Sequence, residues 1–396
     1  MTDCCIIGGG IVGLSIAREL AGRGATVRVL ARGGRRDTAS WAGVGIFPPA
    51  PAGAACGPNA ALTAWSDRLH RQWAVELLAE TGIDNGLRQC GGLYVATDDA
   101  GMDRLRVTAR DWRARGAECH ELDGVGLAAC EPALAGAVGR GAVVGGLWLP
   151  AEQSFRSPRH LDALEASCRL RTVTITHDAA VHDVLRSGGR VEAVIATVSG
   201  TQETVRAGQF VLAAGAWTGA LGGAFGLAIE TRPIRGQIVL LQLPRPVLTR
   251  IVNHGLHYLV PREDGHLLVG STLEDVGFEP TTTAVAIARL RAVARDLLGD
   301  VAGVEPTRTW AGLRPGSADG LPTIGPIPGL ANAFVAAGHF RAGLHQSTGT
   351  AVTIADLVQG RTPQVDPAAF AADRPPAAPG PDSVAAYLAR AAAESA

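Results

Sequence analysis

Six residues near the start, Gly8-Gly-Gly10-Ile-Val-Gly13, limit what this chain can fold into more than any other part of it. They follow a short apolar run, Cys4 to Ile7, and open a segment with helical periodicity, Ile11 to Leu20; Thr26 to Leu30 then reads as a second strand. Strand, glycine turn, helix and strand form the opening half of a Rossmann-type unit. One glycine makes the tight turn, one lets backbone approach a pyrophosphate, and one lets helix and strand pack closely. The phosphates then face free helix N-terminal amides. A glycine-rich structural turn carries the same letters, so the flanking strand and helix give the motif its weight.

The acidic residue that ordinarily follows about 20 positions later, on the ribose hydroxyls, is absent. After Val27-Arg-Val-Leu30 stand Ala31, Arg32 and then Arg35-Arg36. An arginine here accommodates a 2′-phosphate, which opens an NADP reading. Against it, no second glycine fingerprint accompanies the first. Arg32, Asp37 or backbone is left for the adenosine ribose. Val211-Leu-Ala-Ala214-Gly215-Ala-Trp217 reads as a second approach to the dinucleotide, a buried strand ending in small residues. A plain parallel strand with a glycine stop has the same appearance.

Periodicity predicts helices over Ala60–Glu80, Arg159–Leu170 and Ala284–Leu298, and strands over Thr172–Ile175, Val191–Val198, Gln209–Ala213, Gln237–Gln242, His257–Val260 and His266–Val269. A further helix is expected from about Gly343 to Val358. The texture changes divide the chain into a discontinuous nucleotide-binding domain (1–85, 147–223 and 305–370) and a substrate domain (86–146 and 224–304). An Ala/Pro-rich tail (371–396) with a short helical patch near Ala385 reads as a surface appendage. The fold class is α/β, α+β overall: a Rossmann-type domain with an inserted antiparallel-sheet domain.

A net charge of −1 supplies no field for nucleic acid or an anionic membrane, so the expected partner is small. No apolar run reaches the roughly 20 residues of a membrane span, and the strand at Cys4 leaves no room for a signal peptide, so the cytoplasm is expected. The 7 cysteines show no metal or redox spacing. Lysine is absent from the whole chain. Schiff-base, P-loop and kinase lysines are therefore excluded, and positive roles fall to arginine, histidine or helix N-termini.

Two late blocks are more specific: Trp310-Ala-Gly312-Leu-Arg314-Pro, running on to Asp319-Gly-Leu-Pro322-Thr-Ile-Gly325, and Ala337-Gly-His339-Phe340-Arg341-Ala342-Gly343. With His257-Tyr258-Leu-Val-Pro-Arg262 and Arg235-Gly236-Gln237, they resemble the FAD-dependent D-amino-acid oxidase superfamily, and within it the glycine oxidases of thiamine biosynthesis. The resemblance covers nearly all of the chain except the tail. It implies that Arg314 pairs bidentately with a substrate carboxylate, that Tyr258 hydrogen-bonds the same group and that Arg341 supports it. A planar guanidinium suits that task.

The resemblance also implies flavin contacts. They are Gly8, Gly10, Ile11, Val12 and Gly13 in the glycine turn; Arg32, Thr38, Ser40 and Gly43 after the second strand; and Val181, through its backbone, at the adenine. Ala214, Gly215 and Trp217 follow, with Gly236, Gln237 and Gly312 near the ring. The turn through His339, Phe340, Arg341, Ala342, Gly343 and Leu344 offers helix N-terminal amides to the pyrimidine carbonyl. Related enzymes that hold flavin covalently use a cysteine in the C-terminal half; none follows Cys168 here, so noncovalent FAD is expected. No metal is expected.

Leu344-His345-Gln346-Ser347 departs from the aliphatic and proline residues of the family. His345 either faces the flavin or is a satisfied structural histidine. The implied reaction is oxidation of glycine, or of another small amino acid, by molecular oxygen, yielding imine or 2-oxo acid, ammonia and hydrogen peroxide. With no lysine, oxygen activation needs another positive group. A homo-oligomer is implied, tetrameric in relatives. A sarcosine or small D-amino-acid oxidase, an amine dehydrogenase and a non-catalytic flavoprotein remain as alternatives.

Overall fold

The computed structural model describes residues 2–33, 38–50, 57–375, 378–380 and 383–393. Arg35, Arg36 and Asp37 lie outside the described residues.

Cys4–Ile7 is a central strand of a six-stranded sheet ordered Thr323–Pro326, Ala333–Ala337, Gln209–Leu212, Cys4–Ile7, Val27–Leu30 and Thr174–Thr176. Neighbours run parallel except the outermost pair, Thr323–Pro326 with Ala333–Ala337. All four residues of Cys4–Ile7 are buried, because both faces of a central parallel strand are covered. Over one face lie the helices Ile11–Gly22, Pro58–Thr81, Ser157–Leu170 and Ser347–Val358, packed through Leu14, Leu62, Trp73, Leu164 and Ile354. On the other, Phe210, Leu212 and Val335 meet Val184 and Val194 of a three-stranded antiparallel sheet, Ala179–Ser187, Arg190–Val198 and Thr201–Val205.

A second sheet has eight strands, ordered Arg308–Ser317, Thr231–Gln242, His266–Gly270, His257–Pro261, Ile251–His254, Gly92–Ala96, Gly145–Leu149 and His120–Asp123. Helix Ala284–Leu298 covers one face, with Leu290 and Leu297 against Val239, Leu259 and Val269. The opposite face looks into a cavity bounded by the first sheet's glycine turn.

Several expectations change. The strand Thr231–Gln242 starts well before Gln237, because a ladder from Thr231↔Ser317 to Leu240↔Arg308 carries it through Pro233 and Gly236, residues of poor strand propensity. Gly145–Leu149, beside Gly92–Ala96, and Arg308–Ser317, beside Thr231–Gln242, are both strands of the large sheet, although the sequence partition set the segments from 147 and 305 with the nucleotide-binding domain. The last core helix begins at Ser347 rather than Gly343. Before it, Ala342 N–H donates to the His339 carbonyl at 2.9 Å and Gln346 N–H to the Ala342 carbonyl at 2.8 Å, so the segment is a chain of turns.

The C-terminal helix Val384–Ala393 is no surface appendage. Val384 is buried with Ile234 and Phe340, in space left by the missing side chain of Gly316. An alanine-rich sequence conceals this, since only Val384, Tyr387 and Leu388 of the helix pack into that cluster.

Candidate functional site

The glycine turn is shaped by what it lacks. A Cβ on Gly8, whose φ is +124°, would run into the Ala213 carbonyl, and one on Gly13 into the Gly8 carbonyl. Gly10 lies open to the cavity, its missing Cβ 3.1 Å from Ser40 Oγ, and that hydroxyl accepts the Ile11 N–H at 2.9 Å. Ser40 itself stands on a short helix, Ala39–Ala42, capped by Thr38, whose side chain accepts the Trp41 N–H. Gly8, Gly10, Ile11 and Val12 line the cavity; Gly13 does not and serves helix–strand packing instead.

Thr38, Ser40 and Gly43 line the same wall, as do Ala214, Gly215 and Trp217 opposite them. Arg32 lies with its guanidinium 3.9 Å from the centre of the Trp217 ring, a cation–π stack at the expected nucleotide end. Ala31 packs against Gly9, where a Cβ would come within 2.6 Å of the Ala31 methyl. Val181 reaches the cavity at a register shift between Val181 and Asp183.

Gly236 and Gly312 face the cavity, but Gln237 does not. Successive strand residues point to opposite faces. Gln237 is wholly buried on the far side, where its Nε2 donates to Glu274 at 2.9 Å and its Oε1 accepts the Thr283 N–H at 2.7 Å. That corrects the expected flavin contact to a structural one.

The floor is formed by two glycines. A Cβ on Gly236 would fall on the Arg314 guanidinium, and a Cβ on Gly270 would come within 2.6 Å of the Tyr258 ring. Both large side chains therefore lie flat across the sheet. Arg314 Nη2 donates to Ser271 Oγ at 2.7 Å and Nη1 to the Thr272 carbonyl at 3.3 Å, with Tyr258 beside it. Burial pulls the guanidinium pKa below its usual value, and the charge of Arg341 acts in the same direction. No carboxylate pairs with Arg314 among the described residues. A half-buried cation with no carboxylate bonded to it favours the arrival of an anion.

Arg341 is exposed at the rim, with its guanidinium 4.6 Å from the Tyr387 ring centre. Tyr387 in turn meets Phe340 edge-on at 5.5 Å. His339, Phe340, Ala342, Gly343 and Leu344 all line the cavity. His339 Nε2 lies 3.0 Å from Thr350 Oγ1, and burial takes its pKa down to about 4. The amides of Gly343, Leu344 and His345 find no acceptor among the described residues, so they remain available to a ligand although the regular helix starts later.

His345 reaches the cavity wall but is also held from behind. Its ring stacks on Phe47 at 4.2 Å with planes 6° apart, and Nε2 lies 3.3 Å from Asp67 Oδ1. Burial raises the Asp67 pKa, yet His345 and Arg71 outweigh it and hold the carboxyl at about 2.

Tyr94, Asn253, Tyr387 and Arg390 line the cavity without having been foreseen. Each depends on strand pairing or on a distant helix folding back, which no local pattern announces.

The cavity measures about 1390 Å³, more than the roughly 300–1,000 Å³ of an ordinary small-molecule site. Its elongated run from Arg32 past the glycine turn to Arg314 suits a dinucleotide with a small substrate at one end. Bare glycine backbone at Gly8 and Gly10, unpaired amides at 343–345 and an anion-seeking arginine together fit FAD and an amino acid.

Comparison with known proteins agrees. A sequence model described as FAD dependent oxidoreductase matches residues 3–357. The chain is 36% identical over 368 residues to a glycine oxidase of Pseudomonas aeruginosa, covering 92% of this chain and 97% of that protein. It is 34% identical over 367 residues to a glycine oxidase of Pseudomonas putida, covering 92% and 97%. The crystal structure of glycine oxidase from Geobacillus kaustophilus superposes with a TM-score of 0.87 at 30% sequence identity, over 95% of this chain and 99% of that one. With its glycine cradle and this likeness along the whole fold, the chain belongs to the FAD-dependent oxidoreductase family.

Proposed function

We propose that this chain oxidises glycine, or a similarly small amino acid, with FAD as noncovalent cofactor and molecular oxygen as acceptor. The observation that carries the reading is Arg314: half-buried, spread over Gly236, and without a carboxylate partner among the described residues. A substrate carboxylate supplies the missing charge in the bidentate geometry a guanidinium favours. Tyr258, steadied over Gly270, adds a hydroxyl to the same group, and Arg341 and Tyr387 close the rim. Held by its carboxylate, the substrate has its α-carbon and amine fixed in direction, which is the positioning part of catalysis. Held by the glycine turn at Gly8 and Gly10 and by the amides of 343–345, FAD would supply the two-electron acceptor chemistry, with oxygen as final acceptor giving hydrogen peroxide. The imine then hydrolyses to the 2-oxo acid and ammonia.

The resemblance to glycine oxidases favours a supply role in thiamine biosynthesis, in the cytoplasm and as a homo-oligomer; no helix among the described residues is long and apolar enough to cross a membrane. Anaerobic mixing with a panel of small amino acids, followed by flavin absorbance, tests the substrate. Bleaching by glycine is expected, and a flavin inert to every amino acid would overturn the proposal. Peroxide release measured against reduction of an artificial acceptor separates oxidase from dehydrogenase.

A further inference from the structure

Tyr258, Asn253 and Tyr94 stand in one row across the cavity face of the large sheet. Asn253 is paired with Tyr258 in an antiparallel ladder and with Tyr94 in a parallel one, and all three line the cavity. Opposed residues in neighbouring strands project to the same side. The row thus continues the carboxylate floor two strands further.

Glu152 lies behind it, wholly buried. Its Oε2 accepts the Tyr94 hydroxyl at 2.8 Å, and its Oε1 accepts Asn253 Nδ2 at 3.0 Å. Gly92 leaves the room, since a Cβ there would meet the carboxyl. No cationic side chain pairs with Glu152 among the described residues. Two neutral donors offset only part of the cost of burying a carboxylate. Burial accordingly raises the Glu152 pKa to about 7 against the lowering effect of both donors. Tyr94 is itself pushed well above its usual value, by burial first and then by the Glu152 charge, so the phenol keeps its proton. The other groups facing the pair are Cys90 beside Glu152, and Arg341 and Tyr387 beside Tyr94; Asp111 and Arg115, bonded to each other, line the cavity from the helix that packs on Tyr94.

We infer that Glu152, reached through the Tyr94 hydroxyl, takes the proton that an incoming amino acid must lose before its amine can be oxidised. The inference rests on the amino-acid reading above. An amino acid arrives as its ammonium form, which has no lone pair to assist departure of the α-hydrogen. One ammonium N–H bond breaks as an O–H bond forms on Tyr94, while the proton already on Tyr94 moves to Glu152 Oε2. The substrate becomes the neutral amine and Glu152 the carboxylic acid; no electrons change hands. Water admitted after product release takes the proton back along the same path. Tyr94 acts by exchange, and Glu152 is a positioning and proton-storing residue that acts through it.

The test is the pH profile of kcat/KM for glycine with the FAD-loaded enzyme. The expected wild-type profile falls about tenfold per unit on the acid side of an apparent pKa near 7. Glu152→Gln and Tyr94→Phe should each lower kcat/KM and remove that limb, with the bound-flavin spectrum reporting an intact fold. Infrared difference spectra across pH should show a protonated-carboxyl C=O band that titrates near 7 and vanishes in Glu152→Gln, a readout that needs no turnover. Glycine turnover whose acid limb survives in both variants would overturn this inference alone. A wild-type flavin reduced by no amino acid would overturn the functional reading and this inference with it.

Discussion

Arg314 lies in the space that a side chain on Gly236 would fill, one strand across from it in the large sheet. The two residues are therefore one functional unit, in which the glycine leaves the floor on which the guanidinium rests. Gly236→Ala is expected to tilt the guanidinium away from Ser271 and Thr272. Arg314→Ala should cost about 2–5 kcal/mol in transition-state binding, the usual penalty when one member of a buried charge pair is removed. Gly236→Ala should lose a part of that, seen as a higher KM for glycine with flavin content unchanged. Wild-type kcat/KM in the Arg314→Ala protein would remove Arg314 from the proposed role.

The glycine turn makes a separate prediction about the cofactor. Gly13→Ala places a methyl on the Gly8 carbonyl and should destabilise the fold by about 1–3 kcal/mol, as overpacking does. Gly10→Ala meets only Ser40 Oγ, at 3.1 Å, so it should fold normally but retain less FAD. The ratio of flavin to protein absorbance, read beside Tm, distinguishes the two outcomes.

The C-terminal helix should matter to catalysis. Tyr387→Ala removes the ring beneath Arg341, a cation–π contact of about 0.5–1 kcal/mol, and kcat/KM should fall roughly two- to fivefold. Tyr387→Phe keeps the ring and should behave as wild type. If both variants match wild type, the helix only covers Phe340 and Ile234.

Glu152 links stability to pH. Its folded pKa of about 7 lies above the ordinary 4.5, so the native state binds the proton more tightly than the unfolded chain does. Its stabilisation is full below pH 4.5 and is lost as pH rises through 7. At about 1.4 kcal/mol per unit, that loss is of order 3 kcal/mol. Glu152→Gln carries no such charge, so its Tm should hold up better than that of wild type between those pH values. Parallel Tm curves for the two proteins would place the carboxyl in a more polar environment than the structure gives it.

Legibility varied with how local the cause was. The first strand, glycine turn and helix were readable because each is fixed by neighbours within a few positions, and the helix Ala284–Leu298 was read to its ends for the same reason. Arg314 and Tyr258 are marked as candidates by motif resemblance, not by periodicity. Gln237 was misplaced because the sequence shows that it adjoins Gly236 but not which of the two faces the cavity. The Tyr94–Asn253–Glu152 group was invisible, since its members come from strands Gly92–Ala96 and Ile251–His254 and from the connection at 152.

The sequence by itself determined that a dinucleotide's phosphates could be met by bare backbone, that every side-chain charge fixed positive would be an arginine, and that Arg314 and Tyr258 stand in blocks resembling those of a known family. Only the tertiary structure decided which strands share a sheet, and hence that Arg314 and Tyr258 rest on Gly236 and Gly270. It also turned Gln237 away and brought the C-terminal helix over the rim. Turn geometry and residue chemistry are encoded within a few positions of chain. Facing and adjacency across a sheet are set by the pairing of distant segments, through hydrogen bonds and burial that exist only once the whole chain has folded.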